Sequence, residues 1–157
     1  MSLIDDYSQA RRDELAARIR RVLTLRAMIA SGLTQREIAE QLGITQPAVS
    51  QQLHATSELE SVTLEFLVEA AAPVLKRIAA ERGFTDLAIF GSVARGESRA
   101  DSDIDILVKP PVHAAIKDLV AIQEFFETVL AKSVDVVSYG GLKPLIDDDI
   151  LRDMVRL

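Results

Sequence analysis

Residues 91–105 of this 157-residue chain read Gly-Ser-Val-Ala-Arg-Gly-Glu-Ser-Arg-Ala-Asp-Ser-Asp-Ile-Asp, a polar stretch held between two short apolar runs. The first run, Leu87-Ala88-Ile89-Phe90, reads as a strand entering a Gly-Ser turn. The second, Ile106-Leu107-Val108, follows directly on Asp103-Ile104-Asp105. Side chains two apart on a strand point the same way, so Asp103 and Asp105 share one face while Ile104 and Ile106 take the other. Two neighbouring carboxylates on an otherwise apolar strand repel each other and raise each other's pKa. A hard divalent cation removes that penalty, and Mg²⁺ in particular favours a few carboxylates together with phosphate oxygens. The small residues of the upstream turn let the backbone come close to a phosphate. The local chemistry is that of a metal–nucleotide site.

Gly91-Ser92, ten intervening residues, and then Asp103-x-Asp105 resemble the signature of the DNA polymerase beta-like nucleotidyltransferase superfamily. The wording Gly91-Ser92-Val93-Ala94-Arg95-Gly96-Glu97, and the ending from Gly141-Leu142-Lys143-Pro144 to Arg156-Leu157, narrow the likeness. Over about Pro73 to Leu157 the chain is similar to the minimal nucleotidyltransferases of the antitoxin type, the MntA-like proteins. The resemblance implies two Mg²⁺ ions held by Asp103, Asp105 and a third carboxylate on a later strand. Asp135, within the β-branched run Val134-Asp135-Val136-Val137, is the candidate for that third position, where an unpaired charge is otherwise costly. It further implies ATP as substrate, its phosphates gripped at Gly91 and Ser92, with Arg95 close enough to neutralise phosphate charge or to pair with Glu97. Transfer of AMP to a HEPN-type toxin protein, silencing it, is the activity that follows. A rival reading is a DNA-binding regulator whose nucleotidyltransferase fold is a non-catalytic nucleotide sensor or interaction module. Another is nucleotidylation of small molecules, although no evident substrate domain accompanies the core.

Composition sets the outer bounds. Hydrophobic residues make up 48% of the chain, enough for a core, and no apolar run approaches the ~20 residues of a bilayer span. The acidic opening Met-Ser-Leu-Ile-Asp-Asp lacks a signal-peptide pattern. With no cysteine, disulfides, thiolate metal sites and cysteine nucleophiles are excluded. These features predict a cytoplasmic protein. A net charge of −6 argues against a broadly basic nucleic-acid binder. Yet Arg11, Arg12, Arg18, Arg20, Arg21 and Arg26 crowd one segment, and a local basic stripe binds phosphate because screening limits distant charges.

Helical spacing of Leu15, Ile19, Val22, Leu23, Leu25 and Ile29 predicts a helix from Asp13 to about Ala30, ended at Ser31-Gly32. Thr34 with Glu37 forms a capping box opening a second helix to Leu42. Gly43 turns the chain, and Thr45 caps a third helix to about His54 with Pro47 in its first turn. Two short helices about a glycine turn are the helix-turn-helix pattern, and this wording resembles bacterial regulators. Ala39 suits the crossing point, with Ile38, Leu42, Ile44, Val49 and Leu53 as shared core. In that reading Thr45, Gln46, Ser50 and Gln51 reach base edges of operator DNA, with His54 a further candidate, while Arg36 and the first-helix arginines contact phosphate. The third helix holds no Arg or Lys, which suits the competing reading of a hairpin that binds only protein.

An apolar-rich helix over 57–72 is expected to bridge two domains or to pair with its copy in a homodimer, with Pro73 breaking or starting a helix. Strands over 85–90, 103–108 and 134–138 alternate with helices over 73–82 and 113–130, and a final helix starts near Leu145. The fold class is α+β: an all-α helix-turn-helix domain over 1–56, a connecting helix over 57–72, and a small nucleotidyltransferase domain over 73–157 with a mixed sheet and flanking helices. His113, Phe125, Phe126 and the acidic run Asp147–Asp149 are assigned to loop, core and solvated helix start, with no part in chemistry.

Overall fold

A computed structural model describes all 157 residues. Its α1 (Leu3–Ala30) is followed by α2 (Gln35–Leu42), α3 (Gln46–His54), α4 (Ser57–Ser61) and α5 (Leu64–Glu81). Then come β1 (Thr85–Phe90), α6 (Gly91–Ala94), β2 (Ile104–Lys109), α7 (Ile116–Leu130), β3 (Val134–Ser138), α8 (Asp148–Asp153) and β4 (Val155–Arg156). The strands form one mixed sheet in the order β3-β2-β1-β4, with only β2 and β3 parallel. The α+β class expected from the sequence is what the chain adopts. No helix is long and apolar enough to cross a membrane.

Alternation divides the strand residues between two cores. Leu87, Ile89, Ile104, Ile106, Val108 and Val134 join the large core with α1, α5 and α7, where Phe126 and Ile122 are fully buried. Ala88, Phe90 and Leu107 point to the opposite face, beneath Tyr139, Leu142, Ile150 and Met154 of the C-terminal segment. The helices thus cover one face, and a thin apolar strap covers part of the other.

α1 belongs to both halves of the molecule. Ile19, Val22, Leu23 and Ala27 lie in the core that backs the sheet, while Leu25 packs with Ile38, Ala39 and Val49 of α2 and α3. The expected capping box at Thr34 is present, Thr34 Oγ1 accepting from Glu37 N–H at 3.2 Å. Thr45 Oγ1 likewise accepts from Ala48 N–H, and Gly43 turns the chain with φ +68°. Leu42 and Ile44, expected in the shared core, are instead exposed beside Ala17, Arg21 and Met28 of α1. The small crossing is filled by Leu25, Ile38, Ala39 and Val49, with the expected Leu53 half-buried against them.

Several expected boundaries move. α1 begins at Leu3, not Asp13, because Ser2 and Asp5 make a capping box that apolar spacing does not reveal: residues 1–14 are all exposed. The single helix expected over 57–72 is two, divided at Val62-Thr63, where Thr63 caps α5 by accepting from Phe66 N–H. Pro73 lies inside α5 and neither breaks nor starts a helix. Its ring faces solvent, and Arg20 Nε donates to the Ala70 carbonyl at 2.9 Å in the turn the proline weakens. The final helix expected from near Leu145 is only α8, Asp148–Asp153, after which Val155 and Arg156 pair with Ile89 and Ala88 as an edge strand.

If α1 is part of the sheet-backing core, Leu23→Ala, at a fully buried position, costs about 2–5 kcal/mol. Thermal unfolding followed by circular dichroism should show the whole protein melting earlier in one transition. Early loss of helical signal alone, with the sheet unaffected, would contradict the shared core.

Candidate active site

The sheet's two-residue repeat places the acids. Asp105 stands two residues before Leu107, so both project to the face away from the large helices. In the parallel β2–β3 register Asp105 is paired with Asp135, and Val137, two residues on, packs on that same face. Asp103 lies immediately ahead of β2 with the same parity as Asp105. Across the antiparallel neighbour, Phe90 pairs with Asp105, which puts the Gly91-Ser92 turn at the end of β1 beside the same carboxylate. Gly91 adopts φ +70°, and a Cβ there would run into Asp105 Oδ2 and sit 3.2 Å from its Cγ. Both its conformation and the closeness of Asp105 require glycine.

Ser92 is half-buried in the first turn of α6, while Arg95, at the end of α6, is exposed and pairs with Glu97 at 3.2 Å. Sequence reasoning missed Glu65, on the second residue of α5. Its Oε1 accepts both the N–H (3.1 Å) and the hydroxyl (2.6 Å) of Ser98, in the loop between Ser92 and Asp103. No local pattern links positions so far apart in the chain.

On the helix-turn-helix side, Gln46 and Gln51 are exposed, Ser50 is half-buried, and Thr45 is exposed with its oxygen engaged as a cap. Arg36 is exposed and pairs along its helix with Glu40 at 3.3 Å. Most of the first-helix arginines assigned to phosphate are occupied within the chain. Arg12 bonds Glu69 and lies over the Phe66 ring, Arg18 bonds Glu14 and Glu58, and Arg26 donates to the Val129 carbonyl. With Arg20 held at Ala70, Arg11 and Arg21 are left without a partner in α1. His54 Nδ1 lies 2.7 Å from the Ser50 carbonyl, as a helix-end residue.

Burial, then the facing Asp135, then Asp103 push the Asp105 carboxyl up to about 6, with Arg95 opposing. Asp103 and Asp135 are exposed and Asp105 is half-buried. The three do not close into a preformed cage: nowhere in the chain are three acid or histidine side chains gathered tightly enough for that. Carboxylates that repel one another are expected to stay apart until a cation joins them. Because its folded pKa lies above the unfolded value, Asp105 favours the folded state fully below pH ~4 and loses that contribution as pH rises through about 6. Asp105→Asn has no such loss. In metal-free buffer its melting temperature relative to the natural protein should therefore rise between pH 4 and 6.5 and then level, whereas a pH-independent difference would contradict the facing-acid geometry.

Comparison with known proteins identifies the family. Residues 73–157 match the nucleotidyltransferase domain family, and residues 13–57 match the family described as Sigma-70, region 4. The chain is 32% identical to the protein adenylyltransferase MntA of Thermococcus cleftensis, over 60% of this chain and 95% of that protein. It is 43% identical to a protein provisionally named as a protein adenylyltransferase in Methanocaldococcus jannaschii, over 48% of this chain and 81% of the relative. A solved structure described as a candidate minimal nucleotidyltransferase superposes with a TM-score of 0.56 at 33% identity, covering 62% of this chain and 99% of that one. With the Gly-Ser turn and the acids on adjoining strand ends, and with more than half its length matched, the chain is a nucleotidyltransferase and belongs to the nucleotidyltransferase domain family.

Proposed function

We propose that this chain transfers AMP from ATP to a protein, in a reaction that depends on Mg²⁺. The observation that carries the reading is Asp105 facing Asp135 directly beneath the Gly91 turn. The relatives named as protein adenylyltransferases support it. The donor set suits Mg²⁺, being all carboxylate oxygen beside a glycine turn, and burial together with the facing Asp135 raises the Asp105 pKa, a penalty that a cation would relieve. Asp103, Asp105 and Asp135 would hold two such ions, which neutralise charge on the attacking and leaving oxygens when bound.

The chain's own residues then have distinct tasks. Ser92 and the backbone amides near Gly91 grip the β- and γ-phosphates, orienting the α-phosphorus toward the acids. Arg95, released from Glu97, offsets phosphate charge. The acceptor hydroxyl forms the new O–P bond at the α-phosphorus, the bond to the α–β bridging oxygen breaks, and pyrophosphate leaves. Asp135, exposed at the rim, takes the hydroxyl proton. The acceptor we assign is a HEPN-type toxin, so that the chain acts as the antitoxin of a toxin–antitoxin pair in the cytoplasm.

The amino-terminal half is assigned to DNA. The match to Sigma-70 region 4 and the exposed Gln46 and Gln51 on α3 support operator binding and repression of the chain's own operon. Phosphate contacts fall to Arg11, Arg21 and Arg36, and base contacts to Thr45, Gln46, Ser50 and Gln51.

Incubation with labelled ATP, Mg²⁺ and the neighbouring HEPN protein should transfer label to that protein. Asp103→Ala and Asp105→Ala should each lower the rate by about a hundredfold or more while leaving DNA binding intact; unchanged transfer in both would refute the assignment. On the chain's own promoter DNA, Gln46→Ala or Gln51→Ala should cost about 1–3 kcal/mol and relax sequence preference. Arg36→Ala should weaken binding evenly across sequences and flatten its salt dependence. Equal affinity for promoter and scrambled DNA in the natural protein would contradict operator recognition.

A further inference from the structure

Beyond Val93 and Ala94, which pack into the large core, the loop between the Gly-Ser turn and the Asp-x-Asp pair has a single hydrogen-bonded tether to the rest of the molecule. Within it, Arg95 N–H bonds the Gly91 carbonyl, Gly96 N–H that of Val93, and Glu97 N–H that of Ser92. Arg99 N–H bonds Ser102 Oγ at 2.8 Å, and Ser102 N–H returns to the Arg99 carbonyl at 3.0 Å. These bonds all close inside residues 91–103. The exception is Ser98, whose N–H and hydroxyl both go to Glu65 Oε1. Ser98 is half-buried, whereas its neighbours Glu97, Arg99, Ala100 and Asp101 are exposed. Glu65 stands on α5, ahead of the residues that match the nucleotidyltransferase domain.

We propose that Glu65 is a positioning residue for nucleotidyl transfer, anchoring the loop through Ser98 so that Asp103 is presented to Asp105 and Asp135. The reason is mechanical. Asp103 is exposed, precedes β2 and is not among the residues of the sheet ladder, so its position depends on how the preceding loop is held. Two hydrogen bonds to one carboxylate oxygen fix Ser98 more closely than a single bond, and charge-assisted bonds are the stronger kind. The base of the anchor is itself braced. Arg12 of α1 bonds Glu69 and stacks over Phe66, four and one residues along α5 from Glu65. The segment that carries the helix-turn-helix is thereby joined to the loop that presents an active-site acid.

This inference rests on the assignment of Asp103, Asp105 and Asp135 as metal-holding residues, and it is tested on the full chain with Mn²⁺ alone, titrated by electron paramagnetic resonance. Amide hydrogen exchange of residues 96–103 is followed in parallel, without metal. Glu65→Ala should weaken Mn²⁺ binding about tenfold and speed exchange across 96–103. Glu65→Gln, whose amide oxygen can accept the same two bonds, should restore both properties. Ser98→Ala, which removes the hydroxyl bond and keeps the N–H bond to Glu65, should weaken Mn²⁺ binding by a smaller factor. Unchanged Mn²⁺ binding and exchange in Glu65→Ala would overturn the role. So would a Glu65→Gln protein as impaired as Glu65→Ala, which would make charge and not anchoring the cause. Failure of the natural protein to bind Mn²⁺ would remove the site assignment and this inference together, whereas normal binding in it with no effect of Glu65→Ala removes the anchor alone.

Discussion

The pairing of Asp105 with Asp135 across the parallel β2–β3 ladder is the constraint on which the rest of the molecule turns. Placing two acids opposite each other on a partly buried face is unfavourable: burial first, and then the facing Asp135, raise the Asp105 pKa. A one-residue slip of β3 would relieve it, but would also carry Val134 out of the large core and turn Asp135 into it. The hydrophobic pattern of the strands therefore enforces an electrostatic conflict. That conflict, kept beside the Gly91 turn, is what the proposed cation would relieve.

Gly91 shows how closely the turn is fitted to that conflict. Its positive φ and its approach to Asp105 leave no room for a side chain, so the backbone that is assigned to phosphate also covers the most buried of the three acids. Behind the sheet, α1 and α5 do more than fill space. α1 shares its two faces between the sheet-backing core and the helix-turn-helix cluster, and α5 reaches the active-site loop through Glu65. The two halves meet through packed side chains and have no flexible linker between them.

Much of this was legible in the chain itself. The strand alternation of Leu87–Phe90 and Ile104–Val108 gave the strand positions and the faces of the acids, because a period of two leaves little freedom once one face is apolar. The capping residues Thr34 and Thr45 and the glycine at 43 placed α2 and α3, since their chemistry is local. What escaped were features decided by tertiary context. Pro73 is tolerated in α5 because its ring faces solvent and Arg20 reaches the neighbouring carbonyl. Residues 3–12 have no apolar rhythm, and only the Ser2–Asp5 box marks the start of α1. The edge strand at Val155-Arg156 exists because β1 offers an open side. The arginines of α1 read as a basic stripe, yet most are taken up by Glu58, Glu69 and carbonyls from distant parts of the chain. Glu65 carried no signal at all, because its meaning depends on a loop it meets only after folding.

The central claim is that three acids on neighbouring strand ends gather around metal and nucleotide. It is tested most directly by a crystal structure of the chain with Mn²⁺ and an ATP analogue whose α–β bridge is methylene, using anomalous scattering to locate the metal. The account predicts manganese contacting Asp103, Asp105 and Asp135, with the β- and γ-phosphates seated on the Gly91-Ser92 turn. Manganese elsewhere on the surface, or nucleotide bound away from that turn, would contradict it.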